Sequence, residues 1–82
     1  MEKTVAVALK DGIDADVVSV LVQTACKFDS KVYLMEGTRR VNMKSIMGMM
    51  NMVVPKGKEV TVVAEGDDEN AAVEAVENLL AG

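Results

Sequence analysis

Three groups of residues in this sequence carry side chains that could do chemistry or bind a partner. Ser45 stands directly before an apolar segment, five of the seven methionines lie between residues 43 and 52, and Asp14 and Asp16 form a pair of carboxylates. The chain contains no histidine, so an imidazole can serve neither as a general base nor as a metal ligand. The single cysteine excludes an internal disulfide and a thiolate zinc site.

Ser45 is open to two interpretations. Serine is a preferred N-cap, so the plainer interpretation is that Ser45 begins a short helix. The functional interpretation is phosphorylation, because a phosphate at a helix start meets unpaired backbone N–H groups and the positive end of the helix dipole. Lys44, Arg39 and Arg40 lie nearby in the sequence and would add positive charge.

The crowded methionines indicate a binding surface beside Ser45. Methionine fills gaps in cores, and it also forms adaptable binding surfaces. Because a helix of two turns cannot bury all its sides, one or two of Met47, Met49 and Met50 should remain exposed. Ile46, Met47 and Met50 share one side of such a helix, which predicts an apolar docking site for a partner.

Asp14 and Asp16 are the third candidate site. Paired carboxylates can do acid–base work or hold Mg²⁺. Here they flank a predicted helix start, where acidic residues are favoured in any case. Two carboxylates that a helix start already favours make a weak metal site, so we predict no metal here, and we expect no cofactor.

Composition narrows the class of protein. The 82 residues include 9 basic and 13 acidic side chains, giving a net charge of −4, and only two aromatic residues, Phe28 and Tyr33. Nucleic-acid binding normally needs a basic surface and stacking rings, so we expect none. No apolar run approaches the roughly 18–20 residues of a membrane span, and residues 1–7 lack a signal-peptide pattern. We expect one cytoplasmic domain over residues 1–82, with no membrane contact and no enzymatic activity.

These side chains must be positioned by seven predicted elements in the order β-α-β-β-α-β-α. The predicted strands are residues 3–9, 31–36, 39–43 and 59–64. The predicted helices are residues 16–28, two turns after Ser45, and about 68–80. The first helix has an apolar stripe of Val17, Val20, Leu21, Ala25 and Phe28, widened by Val18 and Val22. The order predicts an α+β domain in which helices cover one face of a four-stranded, mainly antiparallel sheet.

Over nearly its whole length the chain resembles the phosphocarrier protein HPr family of the bacterial sugar phosphotransferase system (PTS). The resemblance is carried by GI at 12–13, VLVQTACKFDS at 20–30, VNMKSIMGMM at 41–50 and EVTVVAEGDDENAAVEAVE at 59–77. It implies the HPr-like open-faced β-sandwich, with a four-stranded antiparallel sheet covered by three helices on one face.

At the family's catalytic site this chain departs from the pattern. The family carries its phosphoryl group on a histidine at the start of the first helix, followed two positions later by arginine and then proline. This chain has Asp14, Asp16 and Val17 at those positions. The resemblance is therefore to Crh-type members, which lack the histidine, although these retain the arginine and proline. A phosphocarrier that uses Asp14 as its acceptor is one alternative, because carboxylates do accept phosphoryl groups.

At the family's regulatory site this chain keeps the serine, Ser45. The resemblance implies phosphorylation by the bifunctional HPr kinase/phosphorylase and docking of the phosphoserine form on the catabolite control transcription factor. This is the machinery of carbon catabolite repression. The partner-binding residues it implies are Ile46, Met47, Met50, Asp14 and Asp16. Asp16 replaces an arginine that helps contact the transcription factor, which argues against that partner. An unphosphorylated interaction module, including a homodimer that exchanges or adds strands, is the other alternative.

Overall fold

The computed structural model describes residues 1–82, and its elements follow the predicted order β-α-β-β-α-β-α. The strands are β1 (Glu2–Ala6), β2 (Lys31–Glu36), β3 (Arg39–Asn42) and β4 (Glu59–Glu65). The helices are α1 (Ala15–Ala25), α2 (Ile46–Met50) and α3 (Glu69–Leu80). None of the three helices has the length and apolar character that a membrane span requires.

The four strands form one antiparallel sheet in the order β1-β4-β2-β3, which confirms the predicted sheet. The central strand β4 is rich in β-branched residues, which suit a pleated surface packed on both edges. Thr4 of β1 lies opposite Thr61 of β4, and Tyr33 of β2 lies opposite Val63. β1 and β3 are the two edge strands, so each leaves one row of backbone groups without a neighbouring strand.

The hydrophobic core lies between one face of the sheet and the three helices. Side chains alternate along a strand, so one face of β4 buries Val60, Val62 and Ala64. Each helix buries apolar residues against this face. They are Val18, Leu21 and Ala25 of α1, Met49 of α2, and Ala72, Val73, Val76 and Leu80 of α3. The α+β prediction of a sheet covered on one face is confirmed. On the open face the hydroxyls of Thr4 and Thr61 are 3.0 Å apart.

The structure differs from the sequence prediction at three places in and around the first helix. α1 ends at Ala25 instead of residue 28, because the Lys27 and Phe28 N–H groups donate three residues back, to the Thr24 and Ala25 carbonyls, in turns. β1 ends at Ala6 instead of residue 9, because the Ala8 N–H leaves the sheet and donates to the Leu80 carbonyl. Val20, predicted to lie in the buried stripe, is 45% exposed, whereas Val18 is in the core. The apolar surface of α1 is therefore wider than the core it faces.

Asp68, just before α3, joins the helix layer to the turn before β2. One carboxylate oxygen accepts a hydrogen bond from the Asp29 N–H at 2.9 Å. The other accepts from the Ser30 N–H at 2.9 Å and from the Ser30 hydroxyl. Chiefly because of the Ser30 hydroxyl, the pKa of Asp68 is held below its ordinary value of 3.8.

We expect Asp68→Asn to reduce stability at neutral pH and to flatten its fall in acid. A carboxyl group with a lowered folded-state pKa contributes stability above its ordinary pKa of 3.8, and this is lost as the pH drops through the lowered value. Urea unfolding from about pH 7 down to about pH 2 measures this dependence. Asp67→Asn is the matched control, because Asp67 is exposed and forms none of these hydrogen bonds. Equal pH dependence in Asp68→Asn and wild type would contradict the prediction.

Candidate functional site

Three exposed apolar side chains follow Ser45 on the outer side of α2. Ile46 is 45% exposed, Met47 80% and Met50 56%. We call Ser45, Ile46, Met47 and Met50 together the α2 patch. Apolar side chains grouped in this way are typical of a surface that contacts another molecule.

The packing of α2 explains why this side faces outward. Met49 is fully buried, and so are Met43 before the helix and Met52 after it. A Cβ at Gly48 would lie 3.2 Å from Cγ1 of Val41, so this side of the helix fits closely against β3. The sequence predicts that one or two of the methionines at 47, 49 and 50 remain exposed. This is confirmed, because Met47 and Met50 are exposed.

Ser45 is the N-cap of α2, as predicted. Its backbone is extended, with φ −100° and ψ 108°, and its hydroxyl oxygen accepts from the Gly48 N–H at 3.4 Å. The Ser45 carbonyl accepts the first helical hydrogen bond, from the Met49 N–H at 3.0 Å. The half-buried hydroxyl is therefore held beside the free backbone N–H groups of the first turn.

The three basic residues near Ser45 in the sequence are not gathered around its hydroxyl. The Lys44 ammonium donates to the Phe28 carbonyl at 2.6 Å. An Arg39 guanidinium N–H donates to the Asn51 carbonyl, at the end of α2, at 3.4 Å. The Arg40 guanidinium lies over the ring of Tyr33 on the open face of the sheet, 4.0 Å from the ring centroid. None of the three cations donates a hydrogen bond to the Ser45 hydroxyl, whose oxygen accepts from the Gly48 N–H.

Asp14 and Asp16 lie at the start of α1 and are exposed. Asp14 is the N-cap, and its carboxylate accepts from the Val17 N–H at 3.0 Å. No lysine or arginine forms an ion pair with either carboxylate. The structure contains no group of three His, Cys, Asp or Glu side chains able to hold a metal ion. Phosphate transfer through Asp14 stays a prediction.

A backbone contact links this helix start to the segment after α2. Ile13 and Val54 form an isolated antiparallel bridge, in which the Ile13 N–H donates to the Val54 carbonyl at 2.7 Å. α1 also packs directly against α2. The two regions that the sequence singled out, around residues 14–16 and 45–50, are thus held on neighbouring helices of one layer.

An apolar cavity beside Asp16 adds residues that the sequence interpretation missed. It has a volume of about 240 Å³ and lies between α1, α3 and the end of the segment after β1. Its lining residues are Leu9, Asp16, Val17, Val20, Leu21 and Leu79. The available signal was the number of apolar residues between 17 and 25, too many for one helix face to bury.

The sequence and the fold of this chain are both similar to those of known proteins. The sequence profile described as PTS HPr component phosphorylation site matches residues 1–82. The phosphocarrier protein HPr of Treponema pallidum (strain Nichols) is 48% identical over 77 residues, which cover 94% of this chain and 88% of that relative. A crystal structure of HPr from Bacillus anthracis str. Ames superposes with a TM-score of 0.92 at 34% identity, covering 98% of this chain and 95% of that one.

A crystal structure of Crh from Bacillus subtilis, described as a dimer with a swapped domain, is also similar. It superposes with a TM-score of 0.77 at 42% identity, and the match covers 93% of this chain and 87% of that one. The same fold is thus found in phosphocarrier and in catabolite-repression relatives.

Proposed function

The chain belongs to the HPr family of phosphotransferase-system proteins, and on this premise we propose that it is a regulatory, Crh-like member. In this role Ser45 is phosphorylated and the chain acts by protein–protein binding in carbon catabolite repression. It is a cytoplasmic partner protein, not an enzyme and not a carrier of phosphate on histidine. The observation that carries the proposal is the Ser45 hydroxyl capping a helix whose outer side is apolar and exposed.

The absence of histidine supports the loss of the carrier role. The chain has no histidine at any position, and the resemblance places Asp14 where the family carries its phosphoryl group. The Asp14 carboxylate already accepts a backbone hydrogen bond as the N-cap of α1. Asp16 stands where the family has an arginine, so a carboxylate repels a phosphate at the place where a cation would attract it.

The position of Ser45 supports a regulatory switch. Phosphorylation adds a charge of about −2 and three acceptor oxygens. These oxygens would lie beside the N–H groups of the first turn of α2, which already direct one hydrogen bond to the Ser45 oxygen. The modification would therefore stabilise the helix start and change the charge at the edge of the apolar side chains of the α2 patch.

We expect the bifunctional HPr kinase/phosphorylase with ATP to add one phosphoryl group to this chain, on Ser45. Mass spectrometry of the intact protein and of its peptides measures the addition and its position. Ser45→Ala should abolish phosphorylation, although the lost N-cap also costs about 1 kcal/mol of stability. Ser45→Asp is the better control, because aspartate is an equally good N-cap but offers no hydroxyl.

A third variant separates Ser45 from serines in general. Ser19 is exposed on α1, so Ser19→Ala should be phosphorylated as fast as wild type. Unmodified wild type after prolonged incubation would contradict the proposed switch while leaving the family membership intact.

Asp16 bears on which partner recognises the phosphoserine form. The catabolite control transcription factor is the partner implied by the family, and the arginine that helps contact it is replaced here by the exposed Asp16. A partner surface that is complementary to the arginine cation would repel the carboxylate of Asp16. We therefore propose docking through Ile46, Met47 and Met50, with weakened binding to a transcription factor that expects arginine.

A homodimer is the second candidate, and the position of β1 favours it. β1 lies at the edge of the sheet and pairs with β4 alone. The similar Crh structure is described as a dimer with a swapped domain. Addition of a strand from a second copy would pair the free edge of β1, and exchange of β1 between two copies would link the two chains. Light scattering over a concentration series tests this, since a constant monomer mass would contradict self-association.

A further inference from the structure

The five methionines between residues 43 and 52 divide into two groups that differ sharply in access to solvent. Met43, Met49 and Met52 are at most 1% exposed, and all three belong to the core. Met47 and Met50 are the two methionines that α2 turns outward, at 80% and 56% exposed. One short segment thus holds both protected and accessible thioethers, only a few residues apart.

A thioether exposed in this way reacts with peroxides. The methionine sulfur attacks one oxygen of hydrogen peroxide, the O–O bond breaks, and the products are methionine sulfoxide and water. Sulfur is oxidised, the peroxide is reduced, and reductases specific for methionine sulfoxide can reverse the change. The sulfoxide is polar, so it disrupts surfaces that rely on apolar methionine.

We propose that Met47 and Met50 form a peroxide-sensitive modification site that switches off docking at the α2 patch. The docking half of this inference rests on the proposed function. The two side chains are three residues apart on one helix, so they present neighbouring sulfur atoms to the same partner. Phosphorylation of Ser45 and oxidation of these methionines then act on the same surface, the first through charge and the second through polarity.

The fold itself is insulated from this reaction. The core methionines of the segment are at most 1% exposed, so a peroxide reaches them only when the protein opens. Oxidation under native conditions therefore changes the binding surface and leaves the packing of α2 against β3 in place.

The first experiment maps oxidation in the free protein. Cys26 is an exposed thiol that would also consume peroxide, so the assay uses a Cys26→Ser background. After treatment with dilute hydrogen peroxide, peptide mass spectrometry follows each methionine. We expect Met47 and Met50 to be oxidised at least about tenfold faster than Met43, Met49 and Met52. Equal rates would overturn the modification site, whatever the protein binds.

The second experiment measures the consequence with the HPr kinase. Peroxide treatment of the Cys26→Ser protein should slow phosphorylation of its Ser45 by the kinase at least about tenfold, since the apolar contact between α2 and the kinase is lost. The double variant Met47→Leu/Met50→Leu keeps apolar side chains of similar volume but has no sulfur there, so its rate should not respond to peroxide. Recovery of the wild-type rate after treatment with methionine sulfoxide reductases would support reversibility.

The two proposals fail in different ways. Equal slowing of the double variant and the unsubstituted background would overturn the switch, because the damage would then lie elsewhere. Absence of phosphorylation in every untreated sample would overturn the proposed function, and with it the proposed effect of oxidation on docking. The oxidation map would still test the modification site.

Discussion

Replacing Met47 by lysine should lower the kcat/KM of the HPr kinase for this chain by about 100-fold or more. Met47 is 80% exposed and stands two residues after Ser45, so the kinase must cover it when it reaches the hydroxyl. A lysine there would bring an ammonium group into an apolar contact, where it loses hydration without gaining a partner. Loss of a central interface side chain typically costs 2 kcal/mol or more, and 100-fold corresponds to about 2.7 kcal/mol. Steady-state kinetics with varied protein concentration measure the change.

Two control variants separate docking from folding and from charge. Ala71→Lys adds the same charge at an exposed position on α3, which packs against α1 and not closely against α2, so it should keep the wild-type kcat/KM. Met47→Leu keeps an apolar side chain and should remain within a few-fold of wild type. The stability of Met47→Lys should lie within about 0.5 kcal/mol of wild type, because the side chain it replaces is on the surface. Equal kcat/KM in Met47→Lys and Ala71→Lys would contradict docking through the α2 patch.

Periodicity was sufficient for the elements that build the core. β4 is a run of β-branched residues between charged ones, and it occupies the middle of the sheet as that composition favours. The buried residues of α3 lie at 72, 73, 76 and 80, which is the spacing of one helix face. In both cases one face carries most of the apolar side chains, so local pattern and tertiary packing lead to the same answer.

The pattern was ambiguous where apolar residues outnumber the places available in the core. α1 has valines at 17, 18, 20 and 22, and spacing alone did not distinguish the buried Val18 from the exposed Val20. The choice depends on how α1 is rotated against the sheet, which is set by contacts with distant residues. A surplus of apolar side chains on a short helix is itself the signal that one side faces solvent or a partner.

The candidate site was predictable in its local part only. Ser45 as an N-cap and the outward Met47 follow from residue type and helix geometry. The position of Lys44 does not follow, since its ammonium binds the Phe28 carbonyl 16 residues earlier in the chain. Nor does the network of Asp68 with Ser30, which joins residues 38 apart. Such pairings depend on the completed fold, and no short sequence pattern encodes them.

Gly12→Ala should destabilise the protein by about 3 kcal/mol or more and lower its melting temperature by at least about 10 °C. Gly12 has φ +69°, a conformation that residues with a Cβ rarely adopt. A Cβ at this position would also overlap the Val54 carbonyl oxygen, which the Ile13 N–H binds at 2.7 Å. The overlapping group is backbone, so it cannot rotate away as a side chain would. Urea and thermal unfolding measure both quantities.

Gly37→Ala isolates the steric part of this effect. Gly37 has a similar φ of +60°, but a Cβ there would have no atom within 4 Å, so only the conformational cost of about 1 kcal/mol remains. Because the bridge between Ile13 and Val54 links the start of α1 to the segment after α2, Gly12→Ala should also lower kcat/KM for Ser45 phosphorylation at a temperature where it is still folded. Gly37, in the turn between β2 and β3, should not have this effect. Equal losses of stability in the two variants would mean that the segment around Val54 yields to the extra methyl group, and that this bridge does not fix the two helices relative to each other.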